Sequence, residues 1–69
     1  MDVKKKVGQR LRELRQKKGL SQEKFGLVCK LDRTYIASIE HGKRNVSIVN
    51  LQKICKSLGV TLSGFFKGL

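Results

Sequence analysis

LSQEKFGLVCKLDRTYIASIEHG, residues Leu20 to Gly42, reads as two short helices joined by a tight turn. Ser21 can accept a hydrogen bond from an orphan backbone N–H, so it caps a helix expected over Gln22 to Cys29, and Glu23 complements the positive end of the helix dipole. Phe25, Val28 and Cys29 form its expected buried side. Gly26 is an unusual mid-helix choice, costing roughly 0.5 to 1 kcal/mol relative to Ala, and points to close helix packing. Lys30, Leu31 and Asp32 suffice only for a turn, and Asp32 is a good N-cap for a helix beginning at Arg33. In that helix Ile36 and Ile39 face inward. Arg33, Thr34, Tyr35 and Ser38 cluster at its start and outward side, before Gly42 ends it.

Upstream, Val3, Val7, Leu11 and Leu14 recur at spacings of four, four and three, which predicts a helix from Val3 to Lys18 with Gly19 as a left-handed stop. Its other faces carry Lys4, Lys5, Lys6, Arg10, Arg12, Lys17 and Lys18, either a solvated surface or one that attracts a polyanion. Downstream, HGKRN at 41–45 is a basic loop in which His41 reads as a helix-end residue. Ser47 then caps a fourth helix whose Ile48, Leu51, Ile54, Cys55 and Leu58 keep the same rhythm up to Gly59. In the tail VTLSGFFKGL, Thr61 can cap one or two turns with Leu62, Phe65 and Phe66 as an apolar face, weakened by Gly64. No repeat or linker divides residues 1–69, so a single all-α domain of five helices is expected.

Such a chain buries only roughly 60% of the surface it exposes when unfolded, which permits one core. Sixteen Lys and Arg against five Asp and Glu give a net charge of +11, making a polyanion the natural partner. Nucleic acid and an anionic membrane surface both satisfy that. The lysines at 4–6 resemble the start of a signal peptide, but VGQRLRELR supplies no apolar run, and no transmembrane stretch follows; the chain is expected to stay in the cytoplasm. Cys29 and Cys55, with His41 alone as a nitrogen ligand, match neither a zinc spacing nor a redox pair and read as reduced core thiols. There is no nucleophile with a matching base, no carboxylate pair and no phosphate-binding Gly loop, so neither catalysis nor a metal, cofactor or small-molecule ligand is expected.

The two-helix unit has a mechanical use. The major groove of B-DNA is about 12 Å wide and admits one α-helix, while a preceding helix lies across the backbone. That division needs hydrogen-bonding residues outward and apolar or small ones at the crossing, which is the pattern found here. Arg33 can hold guanine O6 and N7 together; Thr34 can touch a thymine methyl or base edge; Tyr35 can pack on sugar or a deformable base step. Lys43, Arg44 and Asn45, with the helix start at Ser47, are placed to meet phosphates.

At these residues the chain resembles the Cro and phage-repressor (XRE-type) helix-turn-helix domains, from Val7 to Phe66. The resemblance is carried by Leu20-Ser21-Gln22-Glu23, the turn ending at Leu31, Tyr35-Ile36-Ala37-Ser38-Ile39-Glu40, Gly42 and Leu58-Gly59-Val60. Within that family Asp32-Arg33-Thr34-Tyr35-Ile36 and Gly42-Lys43-Arg44-Asn45 look most like the controller proteins of restriction-modification systems. The resemblance implies a compact, lambda-repressor-like five-helix fold and a sequence-specific transcription regulator. It further implies a phosphate contact at Gln22, base contacts at Arg33, Thr34, Tyr35 and Ser38, and a structural ion pair between Arg15 and Glu40. Regulators of this type generally dimerise on palindromic operators, and a controller would tune its own gene and a neighbouring endonuclease gene, with RNA polymerase as a further partner. The unit spans about residues 21–41, and the spare apolar tail at 60–69, with Val60, Leu62, Phe65, Phe66 and Leu69, is the expected dimer interface, with a core position as the alternative for Phe65. A prophage-type repressor or antitoxin-associated regulator would use the same fold; a cationic membrane-surface or protein-interaction module is a reading of another class. Gly26 and Lys30 depart from the family, which usually has Ala and often Gly or Asn there, leaving either a strained turn or a different geometry.

Overall fold

Asp2 opens the first helix by accepting hydrogen bonds from the backbone N–H groups of Lys4 and Lys5 in the computed structural model, which describes residues 2–69. The helices are α1 (Val3–Lys17), α2 (Gln22–Cys29), α3 (Arg33–Glu40), α4 (Ile48–Leu58) and α5 (Leu62–Phe66). Ser21, Asp32, Ser47 and Thr61 each cap the helix that follows them, so every interhelical segment hands its side-chain oxygen to an N–H that would otherwise be orphaned. Among the described residues no helix is long and apolar enough to cross a membrane.

α3 lies at the centre, packed on α1 and α2, while α4 joins α2 to α5 and α5 closes back on α1. Leu11, Phe25, Ile36, Ile39, Ile54 and Phe65 are fully buried in one shared cluster, each burial stabilising by about 1.5 to 3 kcal/mol. Arg10 fastens the last helix: its Nε and Nη2 donate to the carbonyls of Phe65 and Gly64 at 2.9 and 3.0 Å.

Two glycines set how close α3 can come. A Cβ on Gly26 would stand 2.6 Å from the Leu31 carbonyl oxygen and 3.3 Å from the Arg33 nitrogen. A Cβ on Gly8 would collide with the Ile39 carbonyl oxygen and lie 2.9 Å from that of Glu40. Both clashes are with backbone, which cannot swing aside.

Several expected core residues lie elsewhere. Val28 is 55% exposed, because Phe25, Gly26 and Cys29 occupy the inward side of α2. Ile48, 72% exposed, and Val3, 62% exposed, sit in the first turns of their helices, with Leu51 and Val7 taking the inward positions. Phe65, expected at a dimer interface, has no exposed surface: it points inward while Phe66, edge-to-face with it at 5.3 Å, points out.

Candidate nucleic-acid interface

The turn between α2 and α3 closes through two backbone bonds, Leu31 N to Gly26 O at 2.9 Å and Lys30 N to Leu27 O at 3.3 Å. Lys30 adopts φ 61°, ψ 40°, the left-handed conformation that a side chain disfavours. The strained alternative is therefore the one realised.

Asp32 then orders the start of α3. Its carboxylate accepts from both the backbone N–H, at 2.7 Å, and the hydroxyl of Thr34, and these bonds hold its pKa below the ordinary 3.8. Thr34, its hydroxyl proton engaged, offers outward a methyl group and an acceptor oxygen. One turn on, the Ser38 hydroxyl donates to the Thr34 carbonyl at 2.9 Å and likewise keeps its acceptor capacity. Arg33 is exposed, with only a 3.8 Å ion pair to Glu23 of α2.

Tyr35 differs from its outward neighbours. It is half-buried against the core, its hydroxyl accepts from Asn50 Nδ2 at 3.1 Å, and the Arg44 guanidinium lies 4.9 Å from its ring centre. It thus braces α3 against α4 and the intervening loop, and its own phenolic proton remains to donate. Lys43, Arg44, Asn45 and Ser47 are exposed along that loop.

Behind this face Arg15 donates through Nε to Glu40 Oε2 at 2.6 Å and through Nη2 to Oε1 at 3.0 Å, and through Nη1 to the Leu20 carbonyl at 2.7 Å. The bond to Glu40 raises the Arg15 pKa, so the guanidinium stays charged although buried. Gln22, at the first position of α2, donates from Nε2 to the same Oε1 at 3.1 Å. One of its amide hydrogens is thereby spent and its orientation fixed. Among the described residues no group of three His, Cys, Asp or Glu side chains could hold a metal ion.

Asn50 and Arg10 hold site or scaffold residues that the sequence reading does not single out for those roles, and Glu23, expected to complement the α2 dipole, also faces Arg33. Asn50 has a readable signal, a polar residue between apolar Val49 and Leu51 in the first turn of α4; Arg10 looks like an ordinary surface charge.

Two helices crossing at glycine, a left-handed turn and an outward polar face define a helix-turn-helix domain, and the helix-turn-helix family pattern matches residues 11–65. The control protein C.MunI of Mycoplasma sp is 54% identical over 69 residues, covering 99% of this chain and 93% of its own. The crystal structure of the restriction-modification controller protein C.AhdI from Aeromonas hydrophila superposes with a TM-score of 0.88 at 48% identity, over 91% of each chain. That of the controller protein C.Esp1396I tetramer in complex with its natural 35 base-pair operator does so with a TM-score of 0.88 at 37% identity, over 97% of this chain and 88% of the other. The chain belongs to the helix-turn-helix family, among the controller proteins of restriction-modification systems. These are DNA-binding transcription regulators, not enzymes.

Proposed function

We propose that this protein binds a palindromic operator as a homodimer in the cytoplasm, associated with the nucleoid when bound, and regulates its own gene and that of a neighbouring endonuclease, activating or repressing according to occupancy. The observation that carries this reading is the outward face of α3: Arg33, Thr34 and Ser38 present a cationic fork, a methyl group and acceptor oxygens from a rigidly capped helix.

Arg33 reads a guanine, a contact worth about 1 to 3 kcal/mol of discrimination, and Thr34 and Ser38 read the bases beside it. Tyr35 donates its phenolic proton at the groove edge. Gln22, Lys43, Arg44, Asn45 and the α4 start at Ser47 hold phosphates, which fixes register without reading sequence. Two copies then engage half-sites about one helical turn apart. Leu62, Phe66 and Leu69 are exposed, and Val3 and Ile48 border the same apolar surface as Phe66, which supports a two-fold contact there, while half-buried Val60 lines a separate groove with Leu62. Phe65 belongs to the core. From this position on the promoter, the dimer also meets RNA polymerase.

Selection of bound duplexes from random DNA tests the reading. A recovered palindrome that recurs upstream of the chain's own gene is the expected result; equal affinity for scrambled DNA ends the sequence-specific claim.

A further inference from the structure

The seven Lys and Arg side chains of α1 are not equivalent. Arg10 is spent on the carbonyls of α5, whereas Arg12 approaches Glu40, whose side chain is fully buried. Glu40 carries one negative charge, and Arg15 takes both of its oxygens at hydrogen-bonding distance. Arg12 Nε stands 3.9 Å from Oε1, the oxygen that also receives the Gln22 amide. Two guanidinium groups therefore share one carboxylate, leaving a surplus positive charge beside Gln22. The Arg12 side chain is 54% exposed, and among the described residues its guanidinium makes no hydrogen bond of its own.

A planar fork with unused donors, beside an amide whose second hydrogen is also unused, fits a tetrahedral oxyanion. We propose that Arg12 binds a DNA phosphate, forming with Gln22 a two-armed clamp on the backbone next to α3. The proposal rests on the DNA-binding reading above and adds a contact from α1, a helix that otherwise serves as scaffold. A free carboxylate would suit the same fork, but the clamp adjoins the recognition helix, where phosphates line the groove.

Anisotropy titrations of the full chain against a labelled selected palindrome and a scrambled duplex of equal length, over a salt series, test it. Arg12→Ala is expected to weaken both duplexes by the same factor, roughly 10-fold, and to lower the slope of log affinity against log salt by about 0.9 per protomer. Arg12→Lys should recover the slope and part of the affinity. The thermal midpoint should not move, since only a 3.9 Å contact is removed. Lys56→Ala removes the same charge from the C-terminal half of α4 and should leave the slope unchanged. A wild-type slope in Arg12→Ala, or equal losses in Arg12→Ala and Lys56→Ala, overturns the clamp. Should the wild type fail to distinguish palindrome from scramble, the functional reading falls, and the Arg12 contact is still measured on either duplex.

Discussion

Lys30 carries a side chain at φ 61°, a conformation that costs an L-residue roughly 1 kcal/mol. Lys30→Gly is therefore expected to stabilise the domain by about 0.5 to 1 kcal/mol, raising its melting midpoint by several degrees without changing operator preference. Calorimetry with a competition binding assay checks both halves. Asp32 gives a second single-residue prediction. Its folded carboxylate holds the charged form more tightly than the unfolded chain does, because Thr34 donates to it twice. That stabilisation is complete above the ordinary pKa of 3.8 and is lost as pH falls through the lower folded value. Asp32→Asn keeps a capping acceptor but not the titration. Urea melts below about pH 4 should show the variant losing less stability than the wild type as acid is added.

At the scale of elements, the caps of α2 to α5 and the glycine stops were legible from sequence because each is local, a side-chain oxygen meeting the nearest N–H groups or a glycine taking a positive φ. Ser21, Asp32, Ser47 and Thr61 all cap where their spacing placed them. Burial was less legible, since it depends on what a helix packs against. An eight-residue helix such as α2 makes barely two turns, and Val28 beside Cys29 is apolar without being inward. The α1–α3 approach was half hidden for a related reason: Gly8 is a mid-helix glycine like Gly26, but only the nearness of the Ile39 and Glu40 carbonyls shows what it packs against and why no side chain fits. Gly8→Ala should consequently destabilise by about 3 kcal/mol, at the upper end of overpacking costs despite Ala's better helix propensity. A drop in the denaturant midpoint with unchanged far-UV helicity would identify displacement of α1 rather than its melting.

Over the whole molecule, the positive excess of +11 opposes association of two copies, so any dimer contact must be apolar and confined. Phe66→Asp is expected to give a monomer by sedimentation, with the fold intact because Phe65 supplies the core ring, and to weaken palindrome binding far more than half-site binding. A persisting dimer would move the interface elsewhere. Of the proposed DNA-facing surface, exposed Arg33 and Thr34 were readable from their spacing, whereas Tyr35, expected outward, is half-buried and braced by Asn50 and Arg44, positions whose proximity only the fold creates.

The two thiols offer an internal clock. Cys29 and Cys55 sit in the core on α2 and α4, and burial raises both pKa values, tempered at Cys29 by the nearby Ser57 hydroxyl, so little nucleophilic thiolate is presented while the helices stay together. A thiol reagent must wait for the domain to open before it can react. Its labelling rate then counts openings in the native protein, with no residue substituted and no denaturant present.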